Sequence, residues 1–449
     1  MDARTHIILE NVKNIVLSLL VIAAFAGLVI YFYKNMFAPH VFFDSTADRI
    51  LFLTAATDGL IFVLSLFRRE EKHGKLFCDP EKLTVLIVCH NGEVLIGETI
   101  KQALVHVPPK HIIVISDAST DDTAEVARSF GVRVFENEES LNKSMSINFY
   151  ASHIETPYTL ILDDDTHIGH TVIPTNLLDE DYSAVAFNVM PAVRPGLLNK
   201  LQRFEYRKSM YFGKRQRSDS GSIGNVSGAI GLFHTKDLIA QSHKHSGQYG
   251  GEDQQRTLLL HLEGSHKKGV TFCDTLVETE APATAAKLFK QRATKWNCSV
   301  NELFILNMRV VFHSNTHFLL KTERAYKLFI FGTEPIRILA AFFSIFHPEN
   351  ILLLYAFYFS IEVAAWSRMG RKDHPWILPL VPGYNLLKVK AGFIAYFWWF
   401  KMKYDYVVRK KFYQFVTGRN LPREYATTAT LILALSGYAI FKFIIFLSA

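Results

Sequence analysis

The stretch "YTLILDDDTHIGH" runs from Tyr158 to His170. Tyr158 to Leu162 is a short apolar, strand-like run that stops at three carboxylates, Asp163, Asp164 and Asp165. Asp is common in turns and at helix N-caps, so a turn alone could account for one of them. Three adjacent carboxylates repel one another, and a cation between them removes that repulsion. Alternate residues at the end of an extended strand point to the same side. Asp163 and Asp165 are therefore expected to face one site, with Asp164 turned away.

The sequence before this stretch supplies more strands of the same kind. Leu83 to Val88 (LTVLIV) is broken by Cys89-His90-Asn91-Gly92-Glu93, and His111 to Ile115 ends in Ser116-Asp117-Ala118-Ser119. Val132 to Phe135 is a third strand. Between them, Glu93 to Val105, Thr120 to Phe130 and Ser144 to Ile154 have helical spacing, with Ser119 or Thr120 as the expected cap of the second helix. Strands alternating with helices of this length predict an α/β domain with a mostly parallel sheet. Ligands of such sheets bind beyond the carboxyl ends of the strands. Glu93, Asp117 and the Asp163–Asp165 cluster converge there. No G-x-G-x-x-G follows the first strand and no G-x-x-x-x-G-K-[ST] occurs, which argues against a dinucleotide turn and a P-loop. A nucleoside diphosphate with Mg²⁺ or Mn²⁺ fits instead. Such cations are hard, prefer oxygen, and use one or two carboxylates plus phosphate oxygens.

The chain has 449 residues, 49% of them hydrophobic, with 36 Phe, which is heavy for a soluble protein. Asn14 to Tyr33 carries no charge, and about 20 such residues are what a helix needs to cross a bilayer. Its apolar run exceeds the ~7–15 residues of a signal peptide, so a retained anchor is expected. Ile50 to Phe67 is a second span, interrupted by Asp58; two shorter runs between Leu328 and Trp366 flank His347-Pro348-Glu349; Tyr425 to Phe441 is the last. Lys390 to Val408 mixes aromatic and basic residues and reads as a helix lying in the membrane interface. Asp58 is costly in lipid, so it should line a channel or pair with a polar neighbour. Arg68, Arg69, Lys72, Arg368, Arg371 and Lys372 flank the spans on one side, whereas Phe42 to Asp48 holds no Lys or Arg. This bias predicts a multi-pass protein of the plasma (inner) membrane, with a cytoplasmic middle region. The net charge of +7 then belongs to the membrane flanks, and no nucleic acid partner is expected. Cys78, Cys89, Cys273 and Cys298 form no C-x-x-C pair and read as reduced thiols. His243 and His245 have no carboxylate at metal-ligand spacing and read as a solvated loop.

Leu83 to Trp296 resembles the inverting glycosyltransferases of family two, with the GT-A fold, particularly the membrane-embedded hyaluronan, chitin, cellulose and poly-N-acetylglucosamine synthases. The matching pieces are "VLIVCHNGE", "VISDAST", "LNKSMSIN", "LDDDT", "NVSGAIGLFHTKDL", "GGEDQQRTLLL", and "TEAP" followed by "KQRATKW". The resemblance implies two N-terminal spans over 1–71, a cytoplasmic Rossmann-like GT-A domain over 72–300, and interface and transmembrane helices over 301–449. It implies that Glu93 and Asp117 position the nucleoside of a UDP-sugar and that Asp163 and Asp165 hold Mg²⁺ or Mn²⁺. Lys143, Arg292 and Lys295 would neutralise phosphate charge, which suits the bidentate fork of Arg. Ser227, Gly228 and Trp296 would hold the acceptor, and Asp253, beside Glu252, would be the general base. The family usually shows Gln-x-x-Arg-Trp, where this chain has Arg292-x-x-Lys295-Trp296. Arg at that first position is similar to ceramide glucosyltransferases, which add one sugar to a lipid. The expected activity is thus inverting transfer to a growing polysaccharide, processive and coupled to export. Single addition to a lipid is the alternative, and an inactive membrane scaffold or carbohydrate-binding protein is the alternative of another class.

Overall fold

The computed structural model describes residues 46–387, except 67, 69–72, 247–250, 265, 297–302 and 344–347, together with 391 and 394. The expected spans Asn14–Tyr33 and Tyr425–Phe441, most of Lys390–Val408, and Cys298 lie outside the described residues.

One eight-stranded sheet organises the middle of the chain. Its strands are β1 (Leu83–Cys89), β2 (Ile112–Asp117), β3 (Arg133–Asn137), β4 (Tyr158–Asp163), β5 (Thr166–His167), β6 (Tyr182–Pro191), β7 (Ile230–His234) and β8 (Lys268–Thr279), in the order β3-β2-β1-β4-β7-β6-β8-β5. All seven residues of β1 and all six of β2 are buried, so these strands are covered on both faces. β3, β2, β1 and β4 run parallel, with Val88 opposite Asp163 and Asp117 opposite Asn137. The ends of β2 and β4 thus lie on one edge, as the alternating pattern predicts. β7 then runs antiparallel to β4, with Ile230 opposite Leu162. It starts where β4 ends, so the loop before it lies beside Asp163. β5 pairs Thr166 with Thr279 of β8, which brings Thr279 to Asp165.

Helices α1 (Thr46–Leu66), α2 (Ile96–Leu104), α3 (Thr123–Arg128), α4 (Asn142–Tyr150), α5 (Leu197–Met210), α6 (Glu252–Glu263), α7 (Phe304–Phe312), α8 (Phe318–Phe343) and α9 (Pro348–Arg368) carry most of the remaining helical structure. The expected cap at Ser119 or Thr120 does not form; α3 starts after Asp122. The reason is local: Ser119 Oγ accepts the Asn91 N–H at 3.1 Å and the Thr120 N–H donates to Asn91 Oδ1 at 2.8 Å. These residues tie the two strand-end turns together instead of capping a helix.

α1 and α9 each contain an 18-residue window long and apolar enough to cross a membrane, Arg49–Leu66 and Ile351–Arg368. α8 begins ten residues before the apolar run at Leu328, and Glu323 in its charged first half pairs with Arg217 of the sheet domain. α5 joins the sheet to these helices. Its Leu201 and Phe204 are buried in one apolar cluster with Phe52 and Phe62 of α1 and Phe357 and Ile361 of α9.

Candidate active site

The carboxyl edge of the sheet gathers its polar groups around Gly228. Asp163 ends β4, and its N–H donates to the Ala229 carbonyl at 2.9 Å. Lys143, in the first turn of α4, donates to the Asp163 carboxylate and to the Gly228 carbonyl at 2.6 Å. On the other side of the same glycine, the Gly228 N–H donates to Asp253 Oδ2 at 3.1 Å. Asp253 and Glu252 open α6 after Gly251, whose φ of 96° gives the left-handed turn into the helix. Acids at this position are favoured by the helix dipole. Asp165 Oδ1 accepts from Thr166 Oγ1 and Thr279 Oγ1, both at 3.4 Å.

Asp163, Asp165, Glu252 and Asp253 line one cavity of about 1720 Å³, with Lys143, Ser227, Gly228 and Trp296. Asp164 turns away, as expected: a Cβ on Gly92 would lie 2.8 Å from Asp164 Oδ2. Burial and the adjacent carboxylates raise the Asp165 carboxyl and push Asp164 up to about 6. Burial, then Asp253, raises Glu252. Burial works against the Lys143 ammonium, but Asp163, Glu252 and Asp253 outweigh it and the group is held above its ordinary value. At its other end the cavity reaches Asp58 of α1. Asp58 accepts from the Tyr326 hydroxyl, and from the Tyr358 hydroxyl at 2.6 Å. It both lines the cavity and has polar partners.

Several expected site residues have other surroundings. The Asp117 carboxylate is 4% exposed and filled by protein donors: Asn137 Nδ2 at 2.7 Å, the Leu141 and Asn142 N–H groups at 2.8 and 2.9 Å, and Ser140 Oγ at 2.7 Å. It fixes the turn that presents Lys143, and Asp117 is not among the residues that line the cavity. Glu93 is exposed, and its Oε2 accepts the Asp122 N–H at 3.1 Å, at the start of α3. Arg292 is 1% exposed; Nη2 donates to Glu205 Oε2 at 2.9 Å and its guanidinium carbon lies 3.4 Å from the Trp296 ring centroid. It backs Trp296 and does not line the cavity. The Lys295 side chain lies outside the described part of the chain. His243 is exposed, but the solvated-loop reading fails for His245, which is 5% exposed. Burial lowers the His245 imidazole to about 3, so it is neutral, and Nε2–H donates to the Glu252 carbonyl at 2.8 Å. It braces the turn that carries the two acids.

Lys214, Asn225 and Gln254 also line the cavity; Lys214 had no sequence motif to mark it, and the other two were not singled out within theirs. Lys214 lies in a turn of π-helix, Tyr211–Arg215, a feature frequent at functional sites. The residue order "YFGKR" carries no signal for that geometry. Asn225 sits within "NVSGAIG", two residues before the positions singled out, and Gln254 directly follows Asp253.

Residues 84–240 match the family model described as Glycosyl transferase family 2. Over 240 residues the chain is 26% identical to poly-beta-1,6-N-acetyl-D-glucosamine synthase of Staphylococcus aureus, covering 50% of this chain and 56% of that one. Over 168 residues it is 28% identical to the Staphylococcus epidermidis enzyme of the same name, covering 35% and 40%. The chain thus spans about half the length of these curated relatives. Among solved structures, a mannosyltransferase from Pyrobaculum calidifontis in complex with GDP-Man and Mn²⁺ aligns over 84% of this chain and 97% of that one, at 13% identity and a TM-score of 0.44. Glucosyl-3-phosphoglycerate synthase from Mycobacterium tuberculosis aligns over 53% and 85%, at 13% identity and a TM-score of 0.36. Residues 84–240 are thus similar to family 2 glycosyltransferases, and the wider match to the curated synthases is of the same kind.

Proposed function

We propose that the chain is a membrane polysaccharide synthase that transfers a sugar, with inversion, from a UDP-sugar to a growing polymer. N-acetylglucosamine is the sugar that the names of the curated relatives favour. The observation that carries this reading is the arrangement about Gly228: Lys143 and Asp163 on its carbonyl side, Asp253 on its N–H side, all on one cavity.

Asp253 is the general base. It takes the proton of the acceptor hydroxyl as that oxygen attacks the anomeric carbon, and the nucleoside diphosphate leaves from the opposite face. Such a base contributes about 10²–10⁴ in rate. A single displacement inverts the centre and requires no protein nucleophile. Gly228, bonded to Asp253, fixes the direction of its free lone pairs. Trp296 offers a ring face to the acceptor sugar, and Arg292 behind it sets the ring's position.

Asp163 and Asp165 fit a divalent cation. They are hard oxygen donors on one cavity, and the ammonium of Lys143 on Asp163 marks the place as one that favours positive charge. Among the described residues no set of three or more such side chains could cage a metal, which suits an ion that takes its other ligands from phosphate oxygens and water. When bound, Mg²⁺ or Mn²⁺ would neutralise the diphosphate and stabilise it as a leaving group.

The cavity's extension to Asp58 supports a path for polymer between the apolar helices. The same apolar lining, Leu51, Ile351 and Leu354, also favours the second reading, one sugar added to a lipid acceptor. The deciding experiment is incubation of the purified protein in lipid with labelled UDP-N-acetylglucosamine, UDP-glucose and UDP-glucuronate, with and without Mn²⁺. Size-resolved polymer that disappears in Asp253→Asn supports the synthase. Label on lipid alone supports single addition, and no transfer from any donor removes the reading.

A further inference from the structure

Lys214 is a buried cation whose nearest charged influence is Asp253. It is 6% exposed, lines the cavity, and makes no hydrogen bond or ion pair among the described residues. The other lysines of the same wall are committed: Lys143 to Asp163 and Gly228, Lys208 to Glu362, Lys327 to Glu323. Two more polar atoms of this wall are unsatisfied, Oδ1 of Asn225 and Oε1 of Gln254, and the Gln254 side chain is buried. They belong to segments held together beside Asp253: the Val226 N–H donates to Thr257 Oγ1 of α6 at 2.8 Å, and the Gly228 N–H to Asp253 itself. Buried polar groups left unpaired are costly and are ordinarily matched by a ligand or water.

The chemistry of the three atoms says what that ligand is. An ammonium has donors only, and an amide oxygen accepts only. A phosphate or diphosphate offers acceptors alone, so it could satisfy Lys214 but neither amide oxygen. A lipid chain satisfies none of the three. A sugar residue offers both, because each hydroxyl donates and accepts.

We propose that Lys214, Asn225 and Gln254 form a subsite for the acceptor saccharide, in which Lys214 donates to a sugar oxygen and the two amide oxygens accept from sugar hydroxyls. This rests on the reading of Asp253 as the base at an acceptor site. The subsite holds the acceptor residue whose hydroxyl reaches Asp253, and its polar demand selects a saccharide over a lipid alcohol. Burial also lowers the Lys214 ammonium to about 8, with Asp253 acting in the opposite direction. The group is therefore easily neutralised above that pH, and acceptor binding is expected to weaken there.

The test is titration of the full chain in lipid nanodiscs with a tetramer of β-1,6-linked N-acetylglucosamine and, separately, with UDP. Lys214→Met and Gln254→Leu should each weaken tetramer binding about tenfold or more, the scale of a hydrogen bond lost to a buried or charged group, and leave UDP binding unchanged. Lys214→Arg should retain most of the tetramer affinity. Equal tetramer binding by wild type and both variants overturns the subsite, and so does a loss of UDP affinity in Lys214→Met with tetramer binding intact. A wild-type protein that does not bind the tetramer overturns it too. Thermal unfolding of each variant identifies one that fails to fold, in which case Asn225→Ala carries the test. If the wild type binds the tetramer in the expected way but transfers no sugar, the proposed function falls while the subsite stands. If transfer is robust and the variants bind normally, only the subsite falls.

Discussion

Oδ2 of Asp253 accepts the Gly228 backbone N–H at 3.1 Å while Oδ1 accepts the Gln254 N–H at 2.7 Å. The carboxylate is thus aimed by two backbone donors. Asp253→Asn keeps one carbonyl oxygen for these donors and loses the ability to take a proton. Transfer should fall by about 10²–10⁴, the usual contribution of a general base, with UDP affinity and thermal midpoint close to wild type. Initial rates at saturating donor measure this, and activity within about tenfold of wild type would remove Asp253 from the mechanism.

Divalent cation should stabilise the protein even without turnover. Among the described residues Asp165 has two threonine hydroxyls as donors, both at 3.4 Å, and it lines the same cavity as Asp163. A cation at about 100 times its dissociation constant stabilises a fold by about 2.7 kcal/mol. Raising Mn²⁺ should therefore raise the unfolding midpoint of wild type, and Asp165→Asn should abolish most of that rise. An unchanged response in Asp165→Asn would show that the cation binds elsewhere.

The sheet's first half was legible because β1 to β4 are short apolar runs broken by polar turns, and the alternation of strand and helix follows directly. Asp163 and Asp165 do line one cavity, although β4 stops at Asp163 and Asp165 lies in the turn before β5, so the period of two is not what places them. β6 to β8 were not legible: β7 is antiparallel, and nothing local in "AIGLFH" says that it pairs with β4. Asp117 and Arg292 illustrate a different limit. Their residue types suit ligand binding, but the carboxylate of one is filled by the Ser140–Asn142 turn and the guanidinium of the other by Glu205, and those partners lie far away in sequence or in loops without pattern. Lys214 was invisible because burial of a lysine is a property of the folded wall, not of its neighbours in the chain.

Asp164 should make the cation-free protein less stable as pH rises. Its carboxyl is raised from 3.8 to about 6 by burial and by Asp165 and Asp163. A raised folded-state value means that the folded form binds the proton more tightly. The benefit is full below the unfolded value and is lost as pH rises through the folded one, so stability should decline between about pH 4 and pH 6, by on the order of 2 kcal/mol. Asp164→Asn should flatten that decline and raise the midpoint at neutral pH. Thermal unfolding in chelator across this range decides it; a slope that persists in Asp164→Asn assigns it to other groups.

Docking of the sheet domain on the apolar helices should depend on Lys208. Its ammonium donates to both oxygens of Glu362, at 2.7 and 2.8 Å, and Asn385 Nδ2 adds a contact to Oε1 at 3.2 Å. Glu362 sits on α9 at 2% exposure, so it has almost no water to turn to. Lys208→Met strands a buried carboxylate, and breaking such a pair from one side costs about 3–5 kcal/mol. Replacing both ends, Lys208→Met with Glu362→Met, removes the stranded charge and should recover most of that loss, since buried ion pairs and well-packed apolar pairs are often nearly equivalent. Unfolding of the two single variants and the double variant in detergent closes the cycle. A single-variant cost under about 1 kcal/mol, the level of an exposed surface pair, would mean that the contact does not hold the two parts together.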